Sequence, residues 1–454
     1  MKLWDRRFKD REDIPILERF NSSIEKDRFL WQEEIDSSIG YAKALRKAKI
    51  LTKKEADETV TGLYKVKKRI KNGEDITRFE DIHSAVELML IEEIGQTGKK
   101  IHTQRSRNEQ VVTDERLYLK KKIPLLIEAI KRVQASVIKL AENNFDIVMP
   151  AYTHLQQAQC VLFSHYIMSL FWSLQRSVER VKDLLKRVDK LPLGSGALAG
   201  TTLAIDRKYL CKIIGFRSET ENSIDAVSDR SFILEALFVF SVILMDLGRY
   251  AEDFIIFSSS EFGYLILDDS ISTSSSLMPQ KRNPDFLELV RASSGSVFGN
   301  FVHLFTVLKG IPLTYNKDLQ EDKVPLYNGV ESTLQTLEVF DVILNNIKLN
   351  KKRIHSNIDP SVFATDMVDY LVNKGIAFRE AYDIVGEIIC HVENIGKRLN
   401  KIKIDELRKF SPLFDDDLFN IFDPVRSIKQ KKSGGSTNPE EVRRQIESAK
   451  KIIQ

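Results

Sequence analysis

The chain is poor in the residues that punctuate a fold. Its 454 residues include 20 glycines and 12 prolines, about 7% against an average usage near 12%, which argues against collagen-like, low-complexity and turn-rich β architectures. Helix interiors tolerate these two residues least, so their scarcity favours long helices. Cysteine is scarcer still. Cys160, Cys211 and Cys390 are far apart and lack metal-ligand spacing, which excludes a disulfide framework and a structural zinc and fits a reducing cytoplasm. Charge of one sign is also lacking: 69 Lys and Arg stand against 65 Asp and Glu, a net +4 too small to call for nucleic acid or a membrane surface. The first residues lack the apolar stretch of a secretory signal. The longest apolar run, residues 236–245, is bounded by Glu235 and Asp246 and falls short of the roughly 20 residues that span a bilayer.

What is present is a globular composition, 43% apolar and 30% charged, with helical periodicity. Apolar residues recur at three- and four-residue steps over 117–141, where Pro124 is placed to bend or restart the helix, and the pattern returns over 161–188, 223–257, 285–308 and 330–349. The 223–257 segment is apolar on almost every face, as in a helix buried among others or in a subunit interface. Near the end, the loop 433–437 precedes Asn438 as an N-cap, Pro439 as a first helical residue and Glu440 and Glu441 as acids suited to the helix dipole. The expected fold is all-α in three parts: an N-terminal helical domain over 1–104, a central long-helix bundle over 105–349 and a C-terminal helical domain over 350–454.

Four polar clusters interrupt these helices, at 102–110, 149–159, 272–285 and 313–323. They offer cations for carboxylates (Arg105, Arg107, Lys281, Lys323), neutral hydrogen-bonders (Asn108, Thr153, Tyr315, Gln320), a histidine for proton transfer (His154) and a serine-rich loop. Helix ends in a bundle can converge, so segments distant in sequence can build one pocket. There is no Gly-rich phosphate cradle and no HExxH. A polyanionic small substrate handled by acid–base chemistry suits this inventory.

The run Ser275-Ser-Leu-Met-Pro-Gln-Lys-Arg-Asn-Pro-Asp285 resembles the signature loop of the fumarase/aspartase superfamily, whose enzymes release fumarate. The segment 102–110, Tyr152-Thr-His-Leu-Gln156, the glycine-rich 191–201 and Tyr315-Asn-Lys-Asp-Leu-Gln-Glu-Asp-Lys323 narrow the resemblance to the argininosuccinate lyase family, over essentially the whole chain. The resemblance implies a three-domain helical subunit and a cytoplasmic homotetramer whose active sites are shared between subunits, with no metal and no organic cofactor. It implies a carbon–nitrogen lyase that cleaves argininosuccinate reversibly to arginine and fumarate, in arginine biosynthesis or the urea cycle. Two alternatives are another fumarate-releasing lyase, of the adenylosuccinate or aspartate type, and a catalytically silent, crystallin-like structural protein.

By the same resemblance Ser275 and His154 transfer protons, Lys281 stabilises the carbanion and Glu288 orients His154. Which of Ser275 and His154 is the base stays open; Ser275 as base is the favoured assignment. The substrate ligands carried over are Ser23, Asn108, Thr153, Tyr315, Gln320 and Lys323, with Ser106, Arg107 and Asn283 as further contacts. Local structure competes for some of them. Asn283-Pro284-Asp285 reads as a helix N-cap, and Ser22 with Glu25 reads as a capping box. Glu288, on an apolar helix, is expected to need a partner. His83, His165, His303, His355 and His391 read as structural, and His102 is open. The chain departs from the family at Asp5, Arg6, Gln104 and Ser274, where glycine is usual, and at Ser231, where Asp is usual. Glycine often marks a positive φ, so loop geometry is expected to differ there.

Overall fold

A computed structural model describes residues 14–453, and the departures at Asp5 and Arg6 lie outside them. The chain is 69% helical. Among the described residues eleven helices have ten or more residues: α1 (Trp31–Lys47), α2 (Lys53–Lys71), α3 (Ile82–Ile94), α4 (Arg107–Asn143), α5 (Phe163–Val188), α6 (Ser231–Ser258), α7 (Asp285–Leu308), α8 (Lys323–Asn346), α9 (Ala364–Asn373), α10 (Phe378–Asn394) and α11 (Pro439–Ile453). The prediction over 285–308 coincides with α7, and that over 117–141 lies inside α4, which continues through Pro124.

The remaining differences have local causes. The helix expected over 223–257 is two, Ser223–Ser228 and α6, because Asp229 between them is extended (φ −67°, ψ 126°). Its Oδ1 accepts the Ser231 N–H at 2.8 Å and its Oδ2 accepts from Arg116 Nη2 at 2.6 Å, so this carboxylate both caps α6 and anchors α4. The helix expected over 330–349 starts earlier, at Lys323, where Pro325 fits a first turn that needs no donor there. It ends at Asn346, since Ile347–Leu349 pairs antiparallel with Leu265–Leu267. The cluster at 149–159 is a β-hairpin, β1 (Val148–Thr153) paired with β2 (Gln156–Leu162). By length and composition α6 is apolar enough to cross a membrane, well beyond its ten-residue run, yet 61% of its most apolar stretch is buried in the fold, as in a core helix.

The chain forms two compact units, and α4 to α8 each contribute a segment to both. The first comprises Met1–Glu128, Ser177–Met245 and Ser293–Thr336. Here α1 packs on α2 and α3 through buried Leu45, Leu63, Val66 and Leu90, each such side chain contributing about 1.5–3 kcal/mol of transfer free energy. Thr52 opens α2 with a capping box, its Oγ1 accepting the Glu55 N–H at 3.2 Å and its own N–H donating to Glu55 Oε2 at 2.8 Å. The second unit comprises Ala129–Arg176, Asp246–Ala292 and Leu337–Gln454. In it Phe254 of α6 stacks on Phe340 of α8, centroids 6.1 Å apart and planes at 15°. The Thr437 Oγ1 accepts the Leu162 N–H at 2.7 Å, tying the serine–glycine loop to β2. Asn438 Oδ1 accepts the Glu440 N–H at 3.0 Å, the expected cap of α11.

Within the first unit α8 approaches α6 closely at Gly329, where an added Cβ would lie 2.5 Å from Leu237 Cδ2 and 3.5 Å from Phe240 Cδ2. Both neighbours are wholly buried. Alanine gains about 1 kcal/mol of helix propensity, but overpacking of this kind costs about 1–3 kcal/mol. Gly329→Ala is therefore expected to lose about 1 kcal/mol in equilibrium urea unfolding, and a variant more stable than wild type would contradict this packing.

Candidate active site

The site in the first unit is organised by the opening turns of α4. Ser106 caps the helix: its Oγ accepts the Asn108 N–H at 3.2 Å, while its own N–H donates to Glu109 Oε1 at 3.0 Å. The second oxygen of Glu109 accepts the N–H groups of Gly194 and Gly196 at 2.6 and 2.9 Å. One buried carboxylate thus holds the glycine-rich loop against the helix, and burial keeps it above the ordinary carboxylate range despite these bonds. Gly196 has φ +60°, and a Cβ there would lie 2.5 Å from the Gly200 carbonyl oxygen, so this turn requires glycine. Asn108 Nδ2 donates to the Ala197 carbonyl at 3.1 Å. Gln104 just upstream has φ 59°, so this departure from the family's glycine keeps the left-handed backbone and carries its strain. At Ser274 the backbone is not left-handed, and that replacement meets no such constraint.

Around these turns lies a cavity of about 370 Å³. Its wall draws on four segments: Asn21, Ser23 and Asp27; Glu80, Asp81 and His83; His102, Arg107, Asn108 and Val111; and Tyr315, Lys317, Gln320 and Lys323. Six of the expected ligands, Ser23, Arg107, Asn108, Tyr315, Gln320 and Lys323, are thereby brought together. Ser106 stands outside the wall as the helix cap, and Arg105 is buried behind it, donating to Ser38 Oγ at 2.8 Å. The capping box expected at Ser22 and Glu25 does not form, because Ser22 Oγ donates instead to the Glu80 carbonyl at 2.9 Å.

The wall is tuned by burial. Ser23 Oγ donates to Asp27 Oδ2 at 2.6 Å, and burial raises Asp27 to about 6. His102, half-buried beside Arg105 and Arg107, is pushed down to about 4 and is therefore a neutral imidazole at pH 7. Asp81 caps α3 and accepts Arg107 Nε at 3.2 Å, an ion pair that lowers it although burial opposes the shift. Asp27, Glu80, Asp81 and His83 were not among the expected ligands. The signal for three of them is the run Glu80-Asp81-Ile-His83 at a helix start, where two acids and a histidine converge within one turn.

Behind His83 is a fully buried network. His83 Nδ1 lies 2.6 Å from Glu34 Oε2 and 3.4 Å from Asp114 Oδ2, ligand types that can hold a cation. Glu34 Oε1, however, accepts from Ser38 Oγ at 2.8 Å and Gln110 Nε2 at 3.1 Å, with Arg105 Nη2 at 3.4 Å. The 2.6 Å contact is a hydrogen bond, and Arg105 already supplies the positive charge. The residues fit a proton-sharing network rather than a metal centre: Asp114 is pushed well above its ordinary range by burial and by Glu34.

The second unit carries the other expected residues. Thr153 and His154 are exposed at the hairpin tip, where His154 and Leu155 both have φ 55°, the positive-φ pair of a two-residue type I′ connection without its usual glycine. Ser275 and Lys281 lie in one loop, closed at its base by the pairs Thr273–Asn283 and Ser274–Arg282. Asn283 belongs to that pairing, two residues before the helix start at Asp285, so the expected cap position falls instead at Pro284, whose carbonyl accepts from Leu287 and Glu288. Ser275 Oγ accepts the N–H groups of Leu277 and Met278 at 3.2 and 3.0 Å. Glu288, in the first turn of α7, is exposed, so burial gives it no need of a partner within the chain.

A lyase family model matches residues 6–299, and an argininosuccinate lyase C-terminal model matches residues 361–429. The helical fold recurs in solved structures. EDDS lyase in complex with formate superimposes with a TM-score of 0.85 at 27% identity, covering 93% of this chain and 86% of that one. A class II fumarase from Schistosoma mansoni shares the fold at a TM-score of 0.75 and 16% identity, over 90% and 92% of the two chains. Fold and matches define a lyase of the fumarase/aspartase superfamily. The similarity narrows further: an argininosuccinate lyase from Alkaliphilus metalliredigens (strain QYMF) is 42% identical over 457 residues, 100% of this chain and 99% of its own length. The chain belongs to the argininosuccinate lyase family.

The left-handed backbone at Gln104 gives a direct check on the loop that leads into the pocket. A non-glycine residue there carries about 1 kcal/mol of strain, more when β-branched. Gln104→Gly is expected to gain about 0.5 kcal/mol and Gln104→Val to lose about 1–2 kcal/mol in urea unfolding; equal stability of the two variants would contradict this conformation.

Proposed function

We propose that this enzyme cleaves argininosuccinate reversibly to arginine and fumarate by β-elimination, in arginine biosynthesis. The observation that carries the reading is the convergence of six expected ligands, from three separate segments, on one cavity in a chain 42% identical to argininosuccinate lyases over its full length. Arg107 and Lys323 supply positive charge for carboxylates, while Ser23, Asn108, Tyr315 and Gln320 supply directional hydrogen bonds; Ser106 acts through the helix start, and Thr153 and Asn283 are assigned as further substrate contacts by resemblance.

The reaction breaks a C–H bond and a C–N bond of the succinyl group and forms the double bond of fumarate. The carbanion-like transition state places added charge on an existing carboxylate, and the guanidino nitrogen leaves well only when protonated, so a base, an acid and a local cation are all needed. In this account Ser275 removes the proton and His154 protonates the leaving nitrogen. A serine hydroxyl is a weak base unless its oxyanion is stabilised. The two N–H groups that donate to Ser275 Oγ support that role, and Lys281 in the same loop is assigned to the developing dianion. Glu288 is assigned to orient His154.

His154 and Glu288 are both exposed, which supports their meeting between subunits. The long helices also expose apolar side chains: Leu289, Phe298, Val302 and Phe305 on α7, and Phe238 and Met245 on α6. Such surface supports association, and the proposed assembly is a homotetramer with active sites shared between subunits. A cytoplasmic location is supported by three unpaired cysteines.

Purified protein is expected to generate fumarate absorbance from argininosuccinate, and not from adenylosuccinate or aspartate. Ser275→Ala and His154→Asn are each expected to lower kcat by about 10²–10⁴-fold, and mixed refolding of the two variants is expected to restore part of the activity. Fumarate from another adduct but not from argininosuccinate would overturn the substrate; no recovery on mixing would overturn shared sites.

A further inference from the structure

Lys323, in the wall of the pocket, is fastened from behind by two carboxylates that also hold Arg230, and all four side chains are essentially inaccessible. Its Nζ lies 2.8 Å from Asp322 Oδ1 and 3.4 Å from Glu115 Oε1. Arg230 Nε lies 2.5 Å from Asp322 Oδ2 and 3.1 Å from Glu115 Oε2. The side chains are 0–2% exposed. Arg230 also donates to the Asp229 carbonyl at 3.0 Å, at the break that precedes α6. Two carboxylates therefore converge on the same two cations, all of them buried away from the solvent that would screen one from another.

Two full negative charges so close repel strongly in a buried site, and a single proton held between the carboxylates relieves that repulsion. We propose that Glu115 is a positioning residue for Lys323: it shares one proton with Asp322, so that Arg230, Lys323 and the singly charged carboxylate pair leave one net positive charge at the pocket wall. The inference rests on this pocket being the substrate site. Its chemical consequence is that a substrate carboxylate meets an uncompensated ammonium while the proton is present and a neutralised one when it is lost.

The surroundings agree with this charge state. Burial and the neighbouring Asp322 carboxylate push Glu115 up to about 8, against the pull of Arg230 and Lys323. Lys323 and Arg230 hold Asp322 below its ordinary range, although burial opposes them. Behind Lys323, the other groups facing the cluster are Tyr315, from the loop that precedes it, and Arg116, adjacent on α4 and paired with Asp229. Both are uncharged or fixed in charge near pH 8, since burial raises the Tyr315 phenol and Arg116 stays a cation. On the pocket side Lys323 also faces Asp27, raised by burial to about 6, and Lys317, lowered by burial; both are unchanged in a Glu115 variant, so comparing wild type with that variant isolates the titration of Glu115. A buried acid raised in this way contributes most to folding below its ordinary value of 4.5, loses that contribution as pH rises towards about 8, and levels off above it.

The test compares wild type with Glu115→Gln, which keeps the shape and loses the titration. Because the ionisations of argininosuccinate itself cancel in a ratio, the ratio of wild-type to variant kcat/KM is expected to fall about tenfold between pH 7 and pH 9, carried by KM rather than kcat. A ratio constant within about twofold, or a fall carried by kcat alone, overturns the proposal. Thermal melting gives a readout that needs no substrate: wild type should lose stability relative to the variant as pH rises from 7 to 9, and parallel melting profiles overturn the shared proton. If wild type turns over no argininosuccinate, the functional reading fails while the melting comparison still decides the proton. Glu115→Leu, which also lacks the titrating group, replaces Glu115→Gln if that variant does not fold, and a wild-type KM that is flat between pH 7 and pH 9 overturns the proposal without any variant.

Discussion

Everything at the proposed site depends on burying the charged opening turns of α4. Between Arg107 and Arg116 the helix carries Glu109, Asp114 and Glu115 at essentially zero exposure, with Arg116 and Gln110 nearly so. An unpaired charge in such a place would cost several kcal/mol, so each has to be met by a group from elsewhere. Glu109 takes the glycine-rich loop, Asp114 the His83 and Glu34 network, Glu115 the Arg230 and Asp322 pair, and Arg116 the carboxylate of Asp229. These obligations draw distant segments to one helix end. The pocket is the space left where they meet.

That constraint also explains which parts were legible in the sequence. The long helices were, because their burial depends on the period of apolar residues alone, and α7 was delimited correctly. The break at Asp229 was not, since an apolar pattern on both sides says nothing of an arginine that must turn inward to a carboxylate on another helix. The Val148–Leu162 hairpin was hidden for a related reason: its turn, His154-Leu155, lacks the glycine or asparagine that usually marks a positive-φ connection. Likewise Ile347–Leu349 looks like one more turn of α8 until its pairing with Leu265–Leu267 is seen.

At the site itself the motif residues were legible and their supports were not. Ser23, Arg107, Asn108, Tyr315, Gln320 and Lys323 could be picked out by resemblance, whereas Asp27, with a carboxyl raised by burial, and His83, one face on the pocket and one on a proton-sharing network, depend on tertiary neighbours. Ser22 shows the converse. A local capping pattern was present, but the Glu80 carbonyl offered its hydroxyl a better-placed partner. Ser275 and His154 belong to the second unit, His154 at an exposed hairpin tip and Ser275 in a loop whose backbone N–H groups donate to its Oγ; their proposed role in proton transfer comes from the resemblance alone.

The central claim is that the cavity at the start of α4 receives the substrate. The most direct measurement is an experimental structure of the Ser275→Ala assembly with argininosuccinate bound. The account predicts the ligand in this cavity, with carboxylate oxygens within hydrogen-bond reach of Arg107 or Lys323 and with Ser23, Asn108, Tyr315 and Gln320 in contact. Ligand bound elsewhere on the assembly, with this cavity empty, would contradict it.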